Sequence, residues 1–404
     1  MKALASCCVL AAASGTASAG GFAIAEQTIT SAGTGGAGAA RDDEAGAAWT
    51  NPAALADGGG WRAGLGMVLA RPTITASGGA SGENDDGAWT SSTENPWATP
   101  PHIDLAYGDG SLVFGVAVGV PFGGGVVWPV DWQGRFEIVR SRMEVFRAAP
   151  FVGWSFGKVR IAGGPHVDRG RLRVARQLDF IDMEGDVAID MAGTGIGVHL
   201  AAWAQASGDV AVGLTYKSRT KIPLAGGANF TVPDAFSEKT PDQVAHATLT
   251  LPDRFVLGSR YEHGRFAALA DLELTLWGTY DELHIDFAEE QTPDVHQQTR
   301  WHSTVAVRVG GEARVGERVT ARGGVAYDPS PAPDDTLAPS SPDANRTALT
   351  AGASVAASRT FTLDAFAEYL RLASRSTTGI ESMDASFSGS ALFVGLGLRW
   401  TQSK

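Results

Sequence analysis

From Trp61 to Trp400 one pattern recurs: small or apolar residues at every second position, mixed polar residues between them, and turn signals closing each run. Phe266 to Trp277 shows it most cleanly. Phe266, Ala268, Ala270, Leu272, Leu274 and Leu276 share one face, and Ala267, Leu269, Asp271, Glu273, Thr275 and Trp277 the other. Arg318 to Tyr327 divides the same way, with Val319, Ala321, Gly323, Val325 and Tyr327 opposing Arg318, Thr320, Arg322, Gly324 and Ala326. Asp271 and Glu273 in a dry core would cost several kcal/mol each if unpaired. A tube with lipid outside and a wet lumen inside removes that cost.

The pattern predicts about fourteen strands, near 61–76, 101–109, 111–121, 142–156, 159–179, 187–204, 209–224, 245–262, 265–287, 299–312, 317–328, 346–357, 360–372 and 385–400. An even number lets an antiparallel barrel close with both ends on one side. Short turns, such as Gly157-Lys158 and Ser358-Arg359, alternate with long polar loops at 77–100, 121–141, 225–244, 288–298, 329–345 and 373–384. That asymmetry is expected of periplasmic turns and extracellular loops; a soluble two-layer sandwich has no reason to show it. The predicted fold is therefore an all-β transmembrane antiparallel barrel over 61–400. Residues 401–404 follow as an extension beyond the closing aromatic, Trp400.

Composition adjusts this picture in three places. Mean hydropathy is near zero, which fits a membrane barrel because lipid-facing and lumen-facing residues cancel. The net charge of −12 argues against nucleic acid as a partner. Residues 1–19 read as a secretory signal, with Lys2, an apolar Ala3–Ala13 and the small-x-small site Ala17-Ser18-Ala19. Leu4 to Cys7 resembles a lipoprotein cleavage box but has no hydrophobic core before it. Cleavage after Ala19 would remove Cys7 and Cys8, leaving no disulfide or thiol chemistry.

Residues 20–60 fit neither strand nor amphipathic helix. The stretch is rich in glycine and alanine and cannot alone bury enough apolar surface to offset its ordering entropy. It predicts a hatch, or plug, held inside the barrel. It also resembles the N-terminal hatch of the FadL family of outer-membrane transporters. The matching pieces are Gly20-Gly21-Phe22, Glu26-Gln27, Gly33-Thr34-Gly35, Ala37 to Ala40, Asp42-Asp43 and Asn51-Pro52-Ala53. Three later segments resemble the same family, in its order: Val120-Pro121-Phe122-Gly123 with Trp132-Gln133-Gly134-Arg135-Phe136; Leu251-Pro252-Asp253-Arg254-Phe255; and Tyr327-Asp328-Pro329-Ser330-Pro331 with Pro342-Asp343-Ala344-Asn345-Arg346.

The resemblance implies passive uptake of hydrophobic molecules, typically long-chain fatty acids, across the outer membrane of a Gram-negative cell. Cargo would land among the outer loops, move to a lumen site beside the hatch, and leave sideways at a kink in the third strand. Aromatic hydrocarbons are the alternative cargo. An outer-membrane lipase or a surface adhesin is the alternative outside transport. A monomer is expected, with outer-membrane lipid, lipopolysaccharide and the barrel-assembly machinery as surroundings, and with no enzyme activity, cofactor or metal.

Candidate ligand contacts are Gly21, Phe22 and Ile24 at the hatch start, and Trp128, Trp132 and Phe136, with Val126 and Val127, in the loop after the third strand. Arg169, Arg171 and Arg173 alternate along the fifth strand and share a face. Arginines facing lipid at mid-depth cost roughly 2–4 kcal/mol each, so these line the lumen or rise above the membrane, where they meet a cargo carboxylate or pair with acids of the hatch or barrel. Asp42, Asp43, Asn51, Pro52 and Ala53 are expected to fix the hatch structurally.

Other motifs carry little. Gly33 to Gly38 fits G-x-G-x-x-G, without the strand and helix that dinucleotide binding needs. Gly153-Trp154-Ser155-Phe156-Gly157 fits G-x-S-x-G but turns into a strand, not a helix. Asn345-Arg346-Thr347 fits a glycosylation sequon that means little in a bacterial export context. The eight histidines show no metal-ligand spacing; His284, His296 and His302 share one region with many acids.

Overall fold

A computed structural model describes residues 20–79, 87–180, 183–377 and 383–402. The predicted signal, residues 1–19, lies outside them. The chain closes into an antiparallel barrel of fourteen staves. These are β1 (Gly59–Gly78), β2 (Trp89–Ser92 and Pro101–Asp109), β3 (Leu112–Val127), β4 (Arg140–Phe156), β5 (Val159–Asp179), β6 (Glu184–Gln205) and β7 (Val210–Lys217 and Thr220–Thr231). There follow β8 (Gln243–Leu251 and Arg254–His263), β9 (Phe266–Thr275 and Glu282–Phe287), β10 (Val295–Gln298 and Thr304–Val315), β11 (Val319–Asp328), β12 (Arg346–Ala356), β13 (Phe361–Ser376) and β14 (Ser386–Thr401). Closure runs in register from Arg62↔Thr401 to Ser77↔Ser386. The ladder thus includes Thr401, and the backbone N–H of Gln402 donates to Trp61 O at 2.8 Å.

The alternation works as the pattern predicts. Phe266, Leu272 and Leu274 are exposed on the wall's outside, and Asp271 and Glu273 are buried inside. The reason those acids are tolerated differs from expectation. The lumen at Asp271 is filled: its carboxylate accepts the N–H groups of Gly38 and Ala39 at 2.8 and 2.9 Å. Glu273 accepts from Arg254 Nε at 2.6 Å and meets Arg308 Nη2 at 3.3 Å.

Staves β7 to β10 are each broken where continuous strands were expected. Pro252, which has no N–H to give a ladder, marks the break in β8. In β9 and β10 the interruptions fall at 276–281 and 299–303, where Trp277 and Trp301 are buried inward. The strands on the long-loop side also run higher than expected: β3 reaches Val127, β7 reaches Thr231 and β8 starts at Gln243.

The segment before β1 lies within the barrel as α1 (Ile29–Ala32), α2 (Ala47–Thr50) and a 3-10 turn at Pro52–Leu55. Small residues let it approach the wall. A Cβ at Gly213 would lie 1.9 Å from Ala39 O, and one at Gly324 would lie 2.4 Å from Gly35 N.

Candidate functional site

The hatch is fixed at one end by charge and at the other by aromatic packing. On the short-turn side, Arg41 is fully buried and donates to Glu312 at 2.9 Å, with Glu44 at 3.6 Å. Burial works against its charge, but Glu312, Asp43 and Glu44 outweigh burial and raise its pKa. Asp42 meets Arg160 and Arg260 at 3.5 and 3.3 Å, and Asp43 meets Arg41 and Arg260 at 3.4 and 3.7 Å. The partial desolvation of Asp43, whose side chain is 44% exposed, is outweighed by Arg41, Arg260, Arg399 and Arg322, which hold its carboxyl well below the usual carboxylate range. Asn51 donates to Ala39 O and Ala202 O at 2.7 and 3.0 Å, joining hatch to wall, while its Oδ1 accepts Ala53 N–H at the turn that Pro52 opens.

At the other end Gly20 N–H donates to Asp328 at 3.0 Å, and Gly21 O accepts from Arg346 Nη2 at 3.0 Å. Gly21 has φ +65°, and a Cβ there would lie 2.6 Å from Trp301 and 2.8 Å from Trp277, so only glycine passes. Phe22 then enters a cage of Trp277, Tyr280, Trp301 and Phe122, with ring centroids at 4.7, 5.2, 5.4 and 5.8 Å. Ile24 is buried and donates its N–H to Pro121 O at 3.0 Å.

Beside this cage lies a cavity with about 810 Å³ of empty space, its solvent mouth included. Its lining is apolar at Phe22, Val126, Met143, Leu172, Leu283 and Trp301 and polar at Ser141, Gln297, Thr299, Ser340, Asp343 and Arg346. Arg346 is paired with Asp343, but its Nε and Nη1 are buried without a hydrogen-bond partner.

The wall next to the cavity is irregular. Register between β3 and β4 slips between Gly119 and Phe122. There β3 turns to the hatch instead: Gly123 N–H donates to Phe22 O at 2.8 Å, and Gln27 Nε2 donates to Val120 O at 3.1 Å. On its other side β3 pairs with β2 only from Ile103↔Val118 to Gly108↔Val113. Among the described residues no ladder pair joins them above that, until Glu94 N–H reaches Val127 O at 2.7 Å. The kink interrupts the β2–β3 ladder beside the cavity-lining Gly124, Gly125 and Val126.

The family model for outer membrane protein transport proteins (OMPP1/FadL/TodX) matches residues 10–401. The chain belongs to this family. Among solved structures, a Pseudomonas aeruginosa FadL homologue superposes with TM-score 0.83 at 19% identity, covering 94% of this chain and 99% of that one. A Pseudomonas putida toluene transporter, TodX, gives 0.76 at 16% identity, covering 93% and 98%. A Neisseria meningitidis serogroup B protein named as an outer membrane protein is 24% identical over 245 residues, 54% of this chain and 53% of its own length. The match thus spans about half of that relative. This OMPP1/FadL/TodX protein is an outer-membrane barrel, and its family is one of transport channels rather than enzymes.

Within that frame the candidate residues separate. Gly21 and Phe22 line the cavity, and Ile24 packs just behind it. Trp128 and Trp132 are buried and stacked at 4.4 Å, in a cluster that shares Ile74 and Val126 with the cavity. Phe136 stands apart under Arg135, 4.4 Å from its guanidinium, and Val127 is only half-buried. Arg169 and Arg171 are exposed on the outside of β5, with the half-buried Arg173 on the same face. Arg171 donates to Asp190 at 2.7 Å, Arg173 meets it at 3.5 Å, and Arg169 donates to Thr194. Leu172, on the opposite face, lines the cavity. Of the two positions the sequence left open for these arginines, the lumen is excluded. Arg169 lies ten residues above Val159 at the short turn, roughly 25 Å of height for a strand tilted by about 40°, where the apolar band ends.

Trp277, Tyr280, Trp301, Asp343 and Arg346 join the site without having been candidates from the sequence. The only early signal was the resemblance of Pro342 to Arg346 to a family loop, which gave it no role.

Proposed function

We propose that the chain passively admits long-chain fatty acids, or amphiphiles of that shape, through the outer membrane. Cargo enters among the outer loops beside the buried Trp128–Trp132 cluster, is held in the cavity beside Phe22, and is released sideways at the β3 kink. The observation that carries this reading is Arg346: a buried guanidinium that lines the same cavity as Phe22, Met143 and Leu172. A carboxylate head group would find a charge-assisted partner there. The apolar tail then lies against Leu172, Met143 and Leu283.

Lateral release follows from the hydrophobic effect. At about 0.8 kcal/mol per methylene, a tail of about sixteen carbons would cost roughly 13 kcal/mol to pass through water. An exit into hydrocarbon avoids that cost. Arg169, Arg171 and Arg173, at the outer-leaflet level, are assigned to the anionic head groups of outer-membrane lipid, including lipopolysaccharide phosphates, rather than to cargo.

The aromatic cage supports a second reading, uptake of aromatic hydrocarbons, as named for the toluene transporter relative. Competition between labelled oleate and toluene for the purified protein separates the two. Oleate binding weakened by Arg346→Gln supports the acid; toluene binding indifferent to oleate supports the hydrocarbon.

A further inference from the structure

We propose a binding site for a divalent transition-metal ion of the zinc class on the outer face of the β9–β10 hairpin, held by His284, His296 and Asp294. Histidine spacing along the chain shows no such site. Strand register creates it: His284 lies directly opposite His296, with their rings 4.2 Å apart and nearly parallel. The donor atoms of His284, His296 and Asp294 all lie within 4.8 Å of one another. Zinc bonds of about 2.0–2.2 Å place neighbouring ligand atoms roughly 3.3–3.5 Å apart, so rotation of these exposed side chains closes the set. Two imidazoles and a carboxylate leave one tetrahedral position for water.

The supporting contacts point the same way. Asp294 Oδ1 accepts Phe287 N–H at 3.0 Å, which fixes the carboxylate while Oδ2 faces His284 Nε2 at 3.6 Å. Glu282 lies 2.8 Å from His296 Nδ1. A proton held between them leaves Nε2 of His296 with its lone pair, the carboxylate–histidine–metal arrangement that orients metal ligands. On the neighbouring stave β8, His246 stands opposite Asp286 on the same exposed face. Three of the eight histidines in the chain therefore occupy one patch.

The hairpin lies on the long-loop side of the barrel, in contact with the external medium. Leu283 and Gln297, next to the two histidines but facing inward, line the cavity. An ion at the outer face thus ties together two strands whose inner faces form the cavity wall.

The test uses the full chain in detergent micelles, with any purification tag removed and metal stripped. Zn²⁺ is titrated by calorimetry at neutral pH. The expected result is one saturable site, weakened at least tenfold by His284→Ala and by His296→Ala and about tenfold by Glu282→Gln. The control His263→Ala, at the opposite end of the barrel beside Asp209, leaves binding unchanged. Absence of saturable binding overturns the proposal. So does binding that survives both histidine substitutions, or equal competition from Mg²⁺, which prefers oxygen ligands.

Discussion

Phe22→Ala tests how the hatch is held. The side chain is only 6% exposed and touches four aromatic rings. Truncating a buried phenylalanine costs about 3–5 kcal/mol. The rest of the segment depends on a few bonds: Gly123 N–H to Phe22 O, Ile24 N–H to Pro121 O, Gln27 Nε2 to Val120 O, Gly20 N–H to Asp328, and the Gly21–Arg346 contact. Each contributes about 1 kcal/mol net, so they cannot replace the ring. A loss of about 3 kcal/mol raises the open population roughly 150-fold. Hydrogen exchange reads this directly: the Ile24 and Gly123 amides should exchange at least about a hundredfold faster in the variant. Amides of the β1–β14 seam, far from the cage, should not change. Unchanged protection at Ile24 and Gly123 would refute the claim that aromatic packing fixes this end of the hatch.

Glu26, buried in the hatch, has its carboxyl pushed up by burial against the opposing pull of Arg308 and Arg346 and a hydrogen bond with Glu368. Its folded value lies above its unfolded value, so its stabilising contribution is complete below the unfolded value and is lost as pH rises through the folded one. Hatch protection should therefore fall as pH rises past that point, and Glu26→Gln should flatten the dependence; an unchanged slope in the variant contradicts the assignment. Arg171→Ala should leave cargo affinity within about twofold while reducing binding to vesicles containing lipopolysaccharide, since Arg171 faces outward. A tenfold loss of cargo affinity would return β5 to the cargo site.

Much of the architecture was legible because a membrane barrel imposes one rule on every strand. Phe266 to Thr275 must send one parity to lipid and the other inward, and the sequence shows both. The interior was less legible. Asp271 signals a polar lumen, but nothing local shows that the amides of Gly38 and Ala39 meet it. Trp277 and Trp301 read as ordinary strand aromatics, and only the broken staves reveal that they turn in to cage Phe22. Alternation placed Arg169, Arg171 and Arg173 on one face without choosing it. The choice comes from their neighbours: Asp168 is buried with Arg147 at 2.7 Å, so its parity faces in. His284 and His296 meet through hairpin register, which histidine spacing does not display.

The central claim is that cargo lies beside Phe22 with a carboxylate on Arg346. Its most direct test is oleate binding by the purified chain, compared with Arg346→Gln and with the methyl ester of the same acid. Saturable oleate binding is expected, at least tenfold weaker in Arg346→Gln, with the ester bound as weakly by the unaltered chain as oleate is by the variant. Equal binding of acid and ester, unaffected by Arg346→Gln, would contradict it.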